Sequence, residues 1–298
     1  MSLLVGWIES LYQDITITNV CARKKCVRSN CSQCIRHCEK KALFLQENEI
    51  FIDLRNCNSC GECIIHCPLS AIKGSPPIRN FTDSCLIYDE SPPPSLKEML
   101  IYKKLGIKTI LTKKISLDKK WQDLYEKTNR ILPILEQEPF TIKNGEERKI
   151  SRRELLSAFH KEGQKLAQHM TPVRWKKEVM EWKLSRYYPA YQFYEVEWEQ
   201  NHCSLCQACF NICPESVFSL NESKVTIANG KCVGCQMCQD VCKEKALLII
   251  PKIKKKNNFV IPVFTKKCLN CGKLFYTFTE EKGKCPICRD RDPSWLNP

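Results

Sequence analysis

The chain has 298 residues, enough for two or three domains, and 22 of them are cysteines. Cysteine at this density is typical of a disulfide scaffold in a secreted protein or of metal sites in a reducing compartment. The N-terminal stretch lacks a basic region and carries Glu9 and Asp14, which argues against a signal peptide. No apolar run approaches the roughly 20 residues of a membrane-spanning helix. We therefore predict a cytoplasmic protein without a transmembrane segment, in which the cysteines bind metals.

The segment 21–38 contains five cysteines, the last three of which have the spacing C-x2-C-x3-C. This is the second half of the pattern C-x2-C-x2-C-x3-C, but Arg28 occupies the position where that pattern requires a further cysteine. Either Cys21 or Cys26 must therefore supply the missing thiol if this segment binds a metal group.

Three complete copies of the pattern follow, and they begin at Cys57, Cys203 and Cys232. Three thiolates on such a tight loop can cover three corners of a cubic cluster, while the fourth, on the following helix, points away from it. This is the spacing of bacterial-type ferredoxins, which the chain resembles over residues 15–73 and 197–250. In that family the first three cysteines hold one [4Fe–4S] cluster and the fourth reaches across to another.

An internal repeat supports a pair of two-cluster modules. Eighteen residues separate Cys38 from Cys57, eighteen also separate Cys213 from Cys232, and each spacer reads as a two-stranded ribbon. The resemblance implies that the ligands cross between neighbouring motifs, so each half of the chain holds two [4Fe–4S] clusters. In the first module the predicted ligand sets are Cys57, Cys60, Cys63 with Cys38, and Cys21, Cys31, Cys34 with Cys67. In the second module they are Cys203, Cys206, Cys209 with Cys242, and Cys232, Cys235, Cys238 with Cys213.

We prefer Cys21 to Cys26 as the irregular ligand for two reasons. In the complete motifs a strand residue lies five positions before the first cysteine, and the strand-like DITIT ends at residues 17–18, close to that register for Cys21. The sequence is also similar to a group of bacterial ferredoxin-like proteins whose first motif reads C-x9-C-x2-C-x3-C, the spacing of Cys21 and Cys31. It departs from that group at the extra Cys26 and at Glu39, where the group has proline.

Between the modules the pattern changes to alternating strands and helices. Residues 79–145 are predicted to form a small α/β unit, with strands at SCLIYDE, IKTILTKK and FTIKN and helices at SLKEMLIYKKLG and DKKWQDLYEKTNRILPILEQ. Its one cysteine, Cys85, is predicted to be a buried thiol. Residues 146–196 are predicted to be a helical linker, and we interpret the aromatic residues at its end as packing between domains.

Near the C-terminus two C-x2-C pairs enclose thirteen residues that read as a β-ribbon. Four thiols so arranged form a tetrahedral site, and the segment resembles a zinc ribbon. A rubredoxin-like iron would fit the same ligands, but the loop is short and Arg289 stands where rubredoxins have glycine. We predict one zinc ion, bound by Cys268, Cys271, Cys285 and Cys288.

The predicted architecture is an α+β, multidomain chain. Its parts are a dicluster ferredoxin module (1–78), the α/β unit (79–145), the helical linker (146–196), a second dicluster module (197–253), and a basic linker with the zinc ribbon (254–298).

The formal net charge of +14 first suggests nucleic acid as a partner. Four clusters and one zinc site would each contribute about −2, which leaves a holoprotein charge of about +4 and makes nucleic acid an unlikely partner.

We predict a polyferredoxin that relays single electrons, rather than an enzyme. Every iron is ligated by thiolate in the predicted sets, so no iron is open to a substrate, and no catalytic residue is predicted. The expected partner is a redox enzyme or oxidoreductase complex, an analogy with other ferredoxins. One alternative is a nucleic-acid-binding or redox-sensing protein, supported by lysine runs at 254–256 and 266–267. Another is an assembly factor for an iron–sulfur enzyme.

Overall fold

A computed structural model of the chain describes residues 15–89, 92–114, 116–145, 182–221, 223–281 and 283–289. The N-terminal apolar stretch and most of the predicted helical linker lie outside the described residues. The chain divides into two compact units, the first made of Met1–Thr18 and Ser32–Lys183, the second of Asn19–Cys31 and Leu184–Pro298. Short helices and several small sheets agree with the predicted α+β class. Within the described ranges, no helix combines the length and apolar character that crossing a membrane requires.

The secondary structure is dominated by short elements. The helices are α1 (Ala22–Lys25), α2 (Gln33–Arg36), α3 (Glu62–His66), α4 (Leu96–Lys104), α5 (Lys119–Ile131), α6 (Leu184–Tyr187), α7 (Ala208–Ile212), α8 (Met237–Val241) and α9 (Pro286–Arg289). The strands are β1 (Thr16–Ile17), β2 (Leu43–Gln46), β3 (Glu49–Ile52), β4 (Ile72–Lys73), β5 (Phe81–Thr82), β6 (Cys85–Ile87), β7 (Thr109–Thr112), β8 (Thr141–Asn144), β9 (Tyr191–Trp198), β10 (Phe218–Leu220), β11 (Lys224–Ala228), β12 (Leu247–Lys255), β13 (Asn258–Pro262), β14 (Phe264–Lys267) and β15 (Leu274–Thr277). Among the described helices, α4 and α5 are the longest, and both lie outside the cysteine-rich segments.

The cysteine-rich part of the first unit is built on two small antiparallel ribbons. β1 pairs with β4, and β2 pairs with β3 in the register Leu43↔Ile52. The β2–β3 turn places Glu47 and Asn48 at positive φ angles, as a two-residue hairpin turn requires. The ribbon predicted in the spacer after Cys38 is therefore confirmed.

The described residues between 81 and 144 form an α/β layer, which agrees with the strands and helices predicted for this segment. Its sheet has the order β5-β6-β7-β8, in which β6, β7 and β8 are parallel and are joined through α4 and α5. α4 begins with a capping box in which Ser95 and Glu98 satisfy each other's backbone N–H groups. Cys85 is half-buried rather than buried, because side chains alternate along β6 and its neighbour Leu86 takes the inward position.

The second unit packs three small sheets around one apolar core. β10, β11 and β13 form a three-stranded antiparallel sheet, β9 pairs with β12, and β14 pairs with β15. Val225 and Ile227 on β11 are fully buried at the centre of this core. Residues 191–196, which were predicted as part of a helical linker, form strand β9 instead. Their aromatic and β-branched side chains favour a strand, and β12 supplies the hydrogen-bonding partner.

Candidate metal centres

The four cysteine motifs share one local structure at their last cysteine. In each motif the Sγ atom of that cysteine accepts a hydrogen bond from the backbone N–H four residues later. The N···Sγ distances are 3.3 Å for Ala42 and Cys38, 3.2 Å for Ala71 and Cys67, 3.5 Å for Val217 and Cys213, and 3.3 Å for Ala246 and Cys242. The irregular first motif thus has the same N–H···S contact as the three regular ones.

The turn that makes this contact possible is also repeated. The residue before each N–H donor has a left-handed backbone, with φ between 49° and 52°. These residues are Lys41, Ser70, Ser216 and Lys245. None of them is a glycine, so each turn is held against the steric preference of L-residues. The repeated geometry directs an amide donor at a sulfur in all four motifs.

The three regular motifs share a second feature, in the loop that carries their first three cysteines. The second and fourth residues after the first cysteine have positive φ angles: Ser59 and Gly61, Leu205 and Gln207, and Gly234 and Gln236. At Gly234 no side chain fits, because a Cβ atom would lie 2.3 Å from the Tyr194 ring. The irregular motif lacks this loop: Ser32 has a φ of −138°, and Cys21 lies directly before α1.

In the first unit the structure brings together the thiols of one predicted ligand set. Burial raises the pKa of Cys63 to about 12, and the charges of Cys60, Cys57 and Cys38 add to the rise. These four cysteines therefore lie within electrostatic range of one another. Cys63 is buried, whereas Cys60 is exposed, so this group reaches the protein surface on one side.

The second unit brings together the first of its two predicted ligand sets in the same way. Burial raises the pKa of Cys209 to about 12, followed by the charges of Cys203, Cys206 and Cys242. Cys209 is buried and Cys206 is exposed. This group therefore repeats the arrangement of the first unit.

The other predicted set of the second unit lies beside the first. Burial raises the pKa of Cys235 to about 12, with further contributions from Cys213 and Cys232. Burial also raises the pKa of Cys238, and Cys232, Cys235, Cys213 and finally Cys209 add to that rise. Because Cys209 belongs to the neighbouring set, the two groups of thiols are adjacent within this unit.

A buried indole faces one of these sites. The Nε1 atom of Trp198 is buried and makes no hydrogen bond of ordinary geometry with the described residues. Burial raises the pKa of Cys203, and the backbone N–H of Leu205 and the indole N–H of Trp198 partly offset the rise. The indole N–H therefore lies close to the Cys203 sulfur, where an anionic thiolate would provide the acceptor that it lacks.

The donor sets fit iron–sulfur clusters. Each grouped set consists of thiols alone, and buried thiols with raised pKa values do not ionise at neutral pH without a cation. The N–H groups that point at Sγ atoms are the kind of hydrogen bond that stabilises cluster sulfur. Four converging thiols with amide donors are the ligands that a [4Fe–4S] cluster takes.

The candidate ligands of the remaining predicted cluster are divided between the two units. Cys21, Cys26 and Cys31 belong to the second unit, whereas Cys34 and Cys67 belong to the first. Cys21 and Cys26 are both buried, with 7% and 5% of their surface exposed, so burial does not separate the two candidates. The ligand set of this cluster, with Cys21 in preference to Cys26, stays a prediction.

The long spacer of the irregular motif is anchored inside the second unit. The backbone N–H and side-chain amide of Asn30 donate to the two carboxylate oxygens of Asp240, at 3.0 and 3.2 Å. Arg23 donates from Nε to the carbonyl oxygen of Cys31 at 2.6 Å. The charge of Cys31 also contributes to the raised pKa of Cys235, after burial and nearer cysteines. Nothing in the spacing of the motif signals this anchoring.

Two histidines stack beside the cysteine turns of the first unit. The rings of His37 and His66 lie 3.6 Å apart at an interplanar angle of 9°, and each residue directly precedes the last cysteine of its motif. Burial, followed by the charges of His37 and Lys97, lowers the pKa of His66 to about 3. His66 is therefore neutral at physiological pH.

The C-terminal four-cysteine site is formed by the β14–β15 hairpin and α9. The Sγ atoms of Cys268, Cys271, Cys285 and Cys288 lie within 4.8 Å of one another. A zinc ion with Zn–S bonds of about 2.3 Å requires sulfurs about 3.8 Å apart, and the Cys271–Cys285 separation is 3.9 Å. Backbone N–H groups of Cys285 and Cys271 lower the pKa of Cys268 to about 6, which favours its thiolate. The four side chains therefore suit a tetrahedral metal ion.

Cysteine-only sites with amide donors on small antiparallel ribbons define an iron–sulfur protein of the ferredoxin-like class. No protein-family model matches the chain. It is 34% identical over 86 residues to the ferredoxin-type protein NapF of Escherichia coli strain K12, a match covering 26% of this chain and 51% of NapF. It is 38% identical over 48 residues to an uncharacterised ferredoxin of Methanocaldococcus jannaschii, covering 16% of this chain and 77% of that protein. The chain belongs to the ferredoxin family, although it spans only about half the length of NapF.

Proposed function

We propose that the protein is an electron carrier with four [4Fe–4S] clusters, which relays single electrons between a redox enzyme and another carrier. The observation that carries this proposal is the repeated cysteine-only site with an N–H donor aimed at its last cysteine. When bound, a cluster held by four thiolates supplies one-electron transfer and offers no open iron to a substrate. The fourth cluster would use Cys21, Cys31, Cys34 and Cys67.

The chain's own residues support electron exchange at two places. Cys60 in the first unit and Cys206 in the second are exposed, while Cys63 and Cys209 of the same sets are buried. Each site is thus embedded in protein on one side and open to a docking partner on the other. Within the second unit, the electrostatic contact between Cys238 and Cys209 indicates a short path from one site to the next.

The finer parts of the proposal follow the sequence. We assign the dicluster modules to residues 1–78 and 197–253, the α/β unit to 79–145, the linker to 146–196, and a zinc ribbon to 254–298. The thiol-rich composition suits a reducing compartment, so we place the protein in the cytoplasm. A redox enzyme or oxidoreductase complex is the partner that this function requires.

Charge pairing in the second unit weakens the nucleic-acid alternative. The ammonium groups of Lys252 and Lys254 both form ion pairs with the Glu195 carboxylate. The lysine run at 254–256 is therefore partly neutralised by the protein itself. An electron carrier agrees better with this arrangement than a phosphate-binding surface does.

Elemental analysis of anaerobically purified protein tests the proposal. We expect about 16 iron and about 16 sulfide per chain from four clusters, and about 1 zinc from the ribbon. A total of about 8 iron or fewer would contradict the four-cluster assignment. A salt-dependent gel shift of DNA or RNA by the same holoprotein would instead support the nucleic-acid alternative.

A further inference from the structure

The four-cysteine ribbon is packed onto the core of the second unit. The ring of Phe278, which follows β15, meets the Trp198 indole edge-on at a centroid distance of 5.8 Å. Tyr276 and Phe278 both pack against the buried core residues of this unit. Since the indole N–H of Trp198 faces Cys203, the ribbon contacts the site through a single intervening side chain.

A crevice between the ribbon and the loop that begins at Cys203 shows a second contact between the ribbon and this site. One wall is Cys203, Ser204 and Leu205, the start of the loop that carries three predicted cluster ligands. The other wall is ribbon, formed by residues 275–278 of the hairpin end with Lys284 and Arg289. The ribbon therefore covers the Cys203 side of the site, while Cys206 on the same loop stays exposed.

The second cluster site of this unit has different surroundings. The crevice beside Cys213, Cys232 and Cys235 is lined by core residues such as Val196 and Ile249. None of its described lining residues comes from the ribbon. The unit therefore holds one site that the ribbon touches and one that serves as an internal comparison.

The ribbon has only a small buried core of its own. This core consists of Cys268, Phe275, Cys285 and Cys288, so three of its four side chains are predicted metal ligands. A bound metal stabilises the fold of segments with so small an apolar core, so we expect it to do so here. Loss of the metal would then break the aromatic contact between Phe278 and Trp198 and admit water beside Cys203.

We propose that the C-terminal four-cysteine site is a metal-dependent cover for the iron–sulfur site of Cys203, Cys206, Cys209 and Cys242. Zinc bound at the ribbon keeps water and oxidants away from the Cys203 side of this site and holds Trp198 against it, while the Cys206 side stays exposed. This inference rests on the proposed function, because it requires a cluster at the covered site. Solvent exposure and hydrogen bonds to sulfur both affect cluster stability and potential, so the cover would act on both.

The test follows iron release from the full-length holoprotein when air and an iron chelator are added. Cys271→Ser removes one exposed zinc ligand, and Phe278→Ala keeps all four ligands but removes the ring that contacts Trp198. We expect both variants to release about a quarter of their iron in a new fast phase, because one cluster in four is uncovered. Because Phe278→Ala should retain its zinc, it distinguishes the effect of losing the aromatic contact from the effect of losing the metal.

Alkylation followed by mass spectrometry identifies the site that opens. The peptides of Cys203, Cys206, Cys209 and Cys242 should become reactive in the fast phase, before those of Cys232, Cys235 and Cys238. Leu274→Ala, at a ribbon side chain that is 73% exposed, is the matched control and should release iron as the wild type does.

Two outcomes would contradict the proposal that the ribbon covers this site. In the first, both variants release iron at the wild-type rate. In the second, all clusters are lost together, which would show that the ribbon stabilises the whole protein rather than one site. A wild-type protein that contains no clusters would instead refute the proposed function and is recognised by its iron content before any variant is compared.

Discussion

Replacing Cys21 by alanine is expected to lower the iron content from about 16 to about 12 per chain, because one [4Fe–4S] cluster loses a ligand. Cys26→Ala is expected to leave the iron content unchanged. The two residues make an unusually well-matched pair for this comparison. Both residues are buried, and they are separated by the four residues of α1. Each substitution removes only a thiol group.

The physical reason for the difference is register. Cys21 stands shortly after β1, as the first cysteines of the regular motifs stand shortly after a strand, whereas Cys26 lies beyond α1. Alanine is preferred to serine in both variants because a serine oxygen can itself ligate iron. Iron and sulfide analysis with EPR of the reduced protein measures the result. Iron loss in Cys26→Ala alone would assign the ligand to Cys26 and reject our preference.

Arg79→Met is expected to destabilise the first unit by about 3–5 kcal/mol, the cost of leaving buried charges without their partner. The guanidinium of Arg79 donates to the Glu98 carboxylate at 3.0 Å and to the Glu62 carboxylate at 2.7 Å. The Glu98 side chain is 0% exposed and also accepts from the Tyr102 hydroxyl. Burial raises the pKa of Glu62, the nearby Glu98 charge adds to the rise, and Arg79 opposes it.

This ion pair connects the α/β layer to the cysteine loop. Glu62 lies between Cys60 and Cys63, while Glu98 lies in the first turn of α4. Hydrogen exchange of α4 amides should therefore accelerate in Arg79→Met, and iron held by the Cys60 loop should be lost more readily.

The matched control removes an arginine from an exposed pair of the same unit. Arg130 and Glu126 are 3.5 Å apart on α5, with side chains 80% and 48% exposed. Arg130→Met should change stability by no more than about 0.5 kcal/mol. Equal exchange rates for α4 in the two variants would show that the Arg79 network does not stabilise this unit.

The cysteine spacing carries most of the information that sequence alone could supply. The β2–β3 ribbon and the α/β layer follow from the alternation and spacing of apolar residues, whereas the convergence of Cys38 with the Cys57 loop is what the resemblance to bacterial ferredoxins implies. The left-handed backbones at Leu205 and Gln207 could not be predicted, because neither residue is a glycine and L-residues disfavour this conformation.

Non-local contacts account for the remaining differences. The bonds between Asn30 and Asp240 join residues 210 positions apart, and no pattern near either residue indicates them. Most of strand β9 falls within the predicted linker, because its partner, β12, lies about fifty residues further along the chain. The contact between Phe278 and Trp198 is of the same kind, because no pattern near either residue indicates it.

A reductive titration of the anaerobic protein, followed by reoxidation, counts the electrons that one chain accepts and returns. Because each [4Fe–4S] cluster takes up one electron, four clusters predict reversible uptake of about four electrons per chain at low potential. Uptake of about two electrons or fewer would contradict the four-cluster carrier. Reduction that destroys the clusters rather than reversing on reoxidation would contradict a role in electron transfer altogether.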